Sequence, residues 1–159
     1  MRVESEEGAG SIFYVALALP LAPPQEARRA GPLSGVARVA RVLVVDDTEM
    51  VRDVSMDMLL AIGCTVDTAS SGEEALVQCA YGEFDLILMD CQMPNMDGLE
   101  TTRRLLHLYP ELSIVAMTAH TSARDQEQSL NAGMVAHLNK PFTLRGLETV
   151  IDEYARAKV

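Results

Sequence analysis

From residue 39 onward the chain alternates two incompatible hydrophobic periods. Short runs such as "RVLVV" (41–45), "FDLILM" (84–89) and "SIVAMT" (113–118) are apolar at nearly every position. Between them lie longer segments whose apolar residues recur three and four apart. A strand with one face in water alternates polar and apolar residues, whereas one that is apolar throughout must be covered on both faces. The intervening helices are the available cover, so five βα units predict an α/β domain, a parallel sheet between two helical layers. Right-handed crossovers leave few topologies. The common five-strand order is 2-1-3-4-5, with a switch point between strands 1 and 3.

The separate elements agree with this architecture. The first strand, 41–45, leads to Val51, Val54, Met58, Leu59 and Ile62 at helical spacing, with Gly63 as the stop. "CTVDTA" (64–69) predicts the second strand, and "SGEE" (71–74) a capping box opening a helix that carries Ala75, Leu76 and Cys79. The third strand, 84–89, precedes a helix marked by Leu99, Thr102 and Leu106. After the fourth strand, 113–118, the segment "TSARDQEQSLNAG" (121–133) is helical but poor in apolar residues, which predicts a loosely held helix. "VAHLN" (135–139) is the fifth strand, and Leu144, Leu147, Val150, Ile151 and Tyr154 stripe the last helix.

In such sheets ligands gather beyond the carboxyl ends of the strands. Asp46 and Asp47 follow the first strand, Asp90 ends the third, Thr118 ends the fourth and Lys140 follows the fifth. The expected order sets Asp90 across the switch point from the Asp46–Asp47 pair. Crowded carboxylates repel one another, and burying them is costly without compensation. A hard divalent cation with oxygen ligands offsets that repulsion, and magnesium keeps exchangeable waters. Lys140 adds a positive charge and Thr118 a hydroxyl donor. The set suits phosphoryl transfer to a carboxylate, with aspartate as the nucleophile and cations neutralising the phosphoryl oxygens. Taken singly, each residue has a plainer reading. An Asp-Asp pair after a strand is commonly a helix N-cap with an acidic first turn. The weight lies in the conjunction at four strand ends.

These motifs, "VVDD" (44–47), "LILMDCQMPNMDG" (86–98), "AMTA" (116–119) and "NKPF" (139–142), stand in order and at fitting intervals. Residues 39–159 therefore resemble a two-component receiver domain, a flavodoxin-like (βα)5 fold. The resemblance implies that Asp90 is the phosphoacceptor, that Asp47 binds Mg2+ directly with Asp90, and that Asp46 acts on it through water. It implies the main-chain carbonyl of Gln92 as a further ligand, Lys140 as the partner of the phosphoryl group, and Thr118 as a switch group that moves to it. The side chain at 137 then turns inward. Lys140–Pro141 is expected to be a cis peptide, and Pro94 and Gly98 to shape the loop after Asp90. Position 137 departs from the family, which often carries Tyr or Phe there, whereas this chain has His137. A lone strand histidine is commonly packed core, but His137 remains a candidate switch group. His120 sits where the family tunes phosphoryl lifetime, and His107 complements a helix dipole.

The first residues carry a second resemblance. "VESEEGAGSIFYVALALPL" (3–21) is similar to the closing strand pair of the histidine kinase ATP-binding domain, with "GAG" as a turn. The plainer alternative is an unrelated N-terminal hairpin. Residues 22–38 collect prolines, glycines and arginines without periodicity and read as a linker. On this reading the sequence is the tail of a hybrid sensor histidine kinase, without the ATP-binding boxes, and is expected not to be a kinase itself. Its partners are then a histidine kinase phosphotransfer domain or a histidine phosphotransfer protein. A homodimer through the fourth helix, fifth strand and fifth helix is a further expectation.

The formal net charge of −10 repels phosphate backbones and argues against nucleic acid as a partner. Cys64, Cys79 and Cys91 lack metal or disulfide spacing and read as small buried hydrophobes in a reducing compartment. The apolar run "SIFYVALALPLAPP" (11–24) follows an acidic rather than a basic segment and is too short to span a bilayer, so a cytoplasmic location without direct membrane contact is expected. Three other readings compete. An aspartyl phosphatase of the haloacid dehalogenase type needs a DxD pair, where this chain has Asp46, Asp47 and Thr48. A flavin binder needs a Ser/Thr/Gly-rich first loop, and "DDTEM" would repel phosphate. A pseudo-receiver that only binds partners would not require the intact acidic and lysine positions.

Overall fold

Five parallel strands, the central three buried on both faces, organise the larger part of the computed structural model, which describes residues 2–6, 10–14, 40–119 and 122–155. The chain divides into two units, 1–37 and 38–159. In the first, β1 (Arg2–Glu6) pairs antiparallel with β2 (Gly10–Tyr14), Val3 opposite Phe13. The expected linker, 22–38, lies outside the described residues.

The second unit runs β3 (Arg41–Val45), α1 (Glu49–Ile62), β4 (Thr65–Ala69), α2 (Gly72–Tyr81), β5 (Leu86–Asp90), α3 (Gly98–Leu108), β6 (Ser113–Thr118), α4 (Ala123–Asn131), β7 (Ala136–Asn139) and α5 (Leu144–Tyr154). The sheet order is β4-β3-β5-β6-β7, the expected 2-1-3-4-5 pattern with its switch point between β3 and β5. Register aligns the functional ends: Val45 pairs with Met89, and Asp90 with Met117.

The continuous apolar runs are explained by two separate cores. Leu43, Val45, Ile87, Met89, Ile114 and Ala116 face one cluster with Ala75, Cys79 and Leu105. Val42, Val44, Leu86, Leu88, Val115 and Met117 face the other with Leu59, Leu147 and Val150. Alternate residues of one strand thus serve opposite faces. Each such aliphatic side chain taken fully out of water contributes about 1.5–3 kcal/mol.

Several local expectations need correction. The third strand begins at Leu86 rather than at Phe84, and it ends on Asp90 as expected. In α1, Val54 is 51% exposed, while Ser55 and Leu59 are the buried positions, because the face meeting the sheet is narrower than the apolar stripe. On α3 Thr102 is buried as expected, but the fully buried leucine is Leu105, with Leu99 and Leu106 partly buried. The capping box of α2 is displaced by one residue. Ser71 Oγ accepts from Glu74 N, but the Glu74 carboxylate bonds the backbone and hydroxyl of Ser70 at 2.7 Å. Those bonds hold the Glu74 carboxyl below its ordinary pKa. Gly63 ends α1 in the left-handed region at φ 98°, where a glycine has no Cβ penalty. The thinness of α4 is confirmed: its one buried residue is Ser129. No helix among the described residues is long and apolar enough to cross a membrane.

Candidate functional site

The carboxyl edge of the sheet gathers Asp46 and Asp47 after β3, Asp90 at the end of β5, Thr118 at the end of β6 and Lys140 after β7. Asp46 is fully buried and every polar handle of it is engaged. Its amide donates to Ala69 O at 3.1 Å, and its carbonyl accepts from Arg52 Nη1 at 2.7 Å. One carboxylate oxygen accepts from Thr48 N at 2.9 Å, and the other from Lys140 Nζ at 2.6 Å. The N-cap of α1 is Thr48, and its side chain makes no cap bond, so the simple capping reading of the aspartate pair does not hold. Asp46 instead braces the turn before the helix with one oxygen and holds the lysine with the other.

Asp90 is 7% exposed. Its Oδ2 lies 3.1 Å from Lys140 Nζ, and its Oδ1 accepts from Gln92 N at 3.3 Å. Asp47 is exposed, and its carboxylate completes a cluster in which one ligand atom from each of Asp46, Asp47 and Asp90 lies within 4.8 Å of the others. Burial raises the pKa of Asp90, and the charge of Asp46 adds to that, so the attraction of Lys140 is overcome. Lys140 is raised as well: burial opposes its charge, but the bond to Asp46 and the nearby Asp90 outweigh it. One ammonium is shared by two buried carboxylates, and the site keeps a surplus of negative charge.

The backbone around these groups is tightly determined. The Lys140–Pro141 peptide is cis, and Lys140 N donates to Thr118 O at 2.8 Å. Gly98 N donates to Cys91 O at 3.3 Å, closing the Pro94-bearing loop after Asp90. At Gly98 a Cβ would stand 2.0 Å from the Asp90 carbonyl oxygen, so the loop requires glycine for approach rather than for dihedral freedom. Asn95 takes a positive φ of 66° in the same loop.

Thr118, Cys91, Gln92, Ser129 and His137 line a cavity of about 180 Å3 beside the cluster. His137 is half-buried, and its Nε2 contacts Ser129 Oγ. His120 lies outside the described residues, and His107 stands in the last turn of α3. The three cysteines are free thiols, with Cys64 and Cys79 buried and Cys91 half-buried. Burial, and for Cys91 also the charge of Asp90, pushes Cys79 and Cys91 up to about 11. A groove lined by Met50, Val51, Val54, Pro141 and Phe142 opens beside Lys140. Two participants had no sequence signal of function: Arg52, whose position on α1 sets it against the Asp46 carbonyl, and Ser129, one serine in a polar helix.

A family model for the response regulator receiver domain matches residues 42–152. The chain belongs to that family. Among curated relatives, the aerobic respiration control sensor protein ArcB of Escherichia coli (strain K12) is 34% identical over 155 residues, 96% of this chain. The hybrid signal transduction histidine kinase L of Dictyostelium discoideum is 32% identical over 126 residues, 74% of the chain. The receiver-bearing chain spans 20% of the first relative and 7% of the second. Among solved structures, the Vibrio cholerae chemotaxis protein CheY4 superposes with a TM-score of 0.71 at 30% identity, over 74% of this chain and 99% of that one.

Proposed function

We propose that this receiver accepts a phosphoryl group from a phosphohistidine onto Asp90. The observation that carries the reading is a buried, lysine-paired carboxylate facing two further carboxylates across the switch point. In the reaction a carboxylate oxygen of Asp90 forms a bond to phosphorus as the phosphorus–nitrogen bond of the donor breaks, and the imidazole leaves with the bonding electrons. Lys140 lies within reach of the oxygen side of that transfer, and Asp46 holds it in place. The all-oxygen donor set of Asp47, Asp90 and, through water, Asp46 fits Mg2+, with the Gln92 carbonyl as a further ligand. When bound, such an ion would neutralise charge on the phosphoryl oxygens. Thr118 then supplies a hydrogen bond to the product, and His137 turns inward beside it. Their shared cavity supports that coupling. The shift of α4, β7 and α5 between two populations is the output.

The match to ArcB covers 96% of the chain and so extends well beyond residues 42–152 into the first unit. With the β1–β2 pair, this supports derivation from a hybrid sensor histidine kinase, where residues 1–21 close the ATP-binding domain and 22–38 link it to a receiver at 39–159. The fragment itself would be no kinase. Donor or acceptor would be a kinase phosphotransfer domain or a histidine phosphotransfer protein, docking on the groove where Met50 is 75% and Val54 51% exposed. Exposed Leu130, Val135 and Leu144 support a homodimer through α4, β7 and α5. A cytoplasmic setting fits the free thiols.

The decisive test is phosphotransfer from candidate kinases and phosphotransfer proteins, with and without Mg2+, comparing the native chain with Asp90→Asn. Label that survives alkali and hydroxylamine, or that persists on Asp90→Asn, would sink the proposal. Turnover of an external phosphate ester would favour the phosphatase alternative instead.

A further inference from the structure

The helix α4 has an unusual attachment. It contributes no apolar side chain to either core; Leu130 is 54% exposed, and Ser129, at 1%, is its one buried residue. Ser129 Oγ lies 3.0 Å from the carbonyl oxygens of both Asp125 and Gln126, and it contacts His137 Nε2 on β7. Carbonyl oxygens only accept, and a serine hydroxyl has one proton. With that proton directed to the helix carbonyls, a lone pair of Oγ faces the ring, and Nε2 is then the donor. A purely hydrocarbon ring at position 137 could not make this bond. The same ring lines the cavity that holds Thr118.

We infer that Ser129 is a positioning residue for the switch: its hydroxyl fixes the tautomer and orientation of His137 and thereby ties α4 to β7 in the unmodified state. This rests on the reading of Asp90 as the phosphoacceptor, because the ring shares its cavity with the Thr118 that would move. Inward rotation of His137 must break or drag the Ser129 contact. The hydroxyl therefore opposes activation until Thr118 vacates its space.

The test uses the full chain and beryllofluoride with Mg2+ as the phosphoryl mimic. Imidazole 15N spectra of the native chain should show His137 as the Nε2–H tautomer, and Ser129→Ala should lose that protected signal. Removing one hydrogen bond specific to the unmodified state should raise beryllofluoride affinity about three- to tenfold. Ser129→Thr, which keeps the hydroxyl, should restore both readings, whereas a merely structural serine would alter the urea midpoint and leave affinity unmoved. An Nδ1–H tautomer in the native chain, or Ser129→Ala affinity within about twofold of native, overturns the inference. If the native chain takes up no beryllofluoride, the phosphoacceptor reading fails and this coupling falls with it. If it does and Ser129→Ala behaves alike, only the coupling falls.

Discussion

Lys140→Met removes the ammonium that lies 2.6 Å from Asp46 and 3.1 Å from Asp90. The lysine side chain is 19% exposed and the carboxylates 0% and 10%, so little solvent is at hand to replace it. Removing one partner of a buried ion pair costs about 3–5 kcal/mol, because the remaining charge is left uncompensated. Methionine preserves length and most apolar contact, so packing adds little. Asp46 keeps the Thr48 amide and Asp90 keeps the Gln92 amide, which puts the expected loss near the lower end, about 3 kcal/mol. In urea at pH 7 without divalent cations the midpoint should fall by about 1–3 M. Mg2+ at a hundredfold excess over its Kd stabilises by about 2.7 kcal/mol, and its benefit should exceed that in the native chain, where the ammonium competes for the same carboxylates. Acid should close the gap between variant and native chain. Asp90 has a raised pKa, so it takes up its proton above the usual carboxylate range, and the unpaired charge disappears as pH falls through that value. A loss below about 1 kcal/mol, or a gap that stays constant into acid, would refute the account.

Other outcomes follow from the same geometry. A carboxylate whose folded pKa is raised lowers stability as pH rises through that pKa, so Asp90→Asn should stabilise the metal-free fold at pH 7 by about 0.5–2 kcal/mol. Thermal melts at neutral and acid pH check it, since the gain should vanish once native Asp90 is protonated. Gly98→Ala puts a Cβ 2.0 Å from the Asp90 carbonyl oxygen, and should cost about 3 kcal/mol or more in urea unfolding and reduce beryllofluoride uptake. Cys79 and Cys91, with pKa values of about 11, should alkylate with iodoacetamide at pH 8 about two orders of magnitude more slowly in the native chain than in urea.

The fold was legible because the doubly covered strands leave a signal that no surface strand imitates. Position in β5, from Leu86 to Met89, is written into an unbroken apolar run. Helices were less legible at their edges. Met50 and Val54 extend the stripe of α1 beyond its buried face, and apolar residues at an exposed groove look in sequence like core. The clustering of Asp46, Asp47 and Asp90 could be read from strand order alone, since sheet topology converts distant positions into neighbours. What could not be read is the bracing around them. Arg52 reaches a main-chain carbonyl, and main-chain partners leave no residue-type pattern. Ser129 is legible only once α4 is known to lie against β7.

The distribution of buried apolar residues also decides which parts can respond to charge at Asp90. A carboxylate on a surface loop would answer added charge by turning into water. Asp90 cannot, because Leu86 to Met89 are fully buried on both faces and its carbonyl is pressed against Gly98. The lysine is equally restricted, with its ammonium held by buried Asp46 and its amide by Thr118. Both cores would have to open before β3, β5 or β6 could yield, and that costs several side chains' worth of burial. On the other side of Thr118 lie a cavity of about 180 Å3 and a helix whose single buried residue is a serine. Under the proposed reaction, new charge at Asp90 therefore meets a rigid sheet on one side and a polar, weakly anchored α4 on the other. The least costly displacement is through Thr118 and His137 into α4, and the sequence that leaves that helix without an apolar stripe is what makes it so.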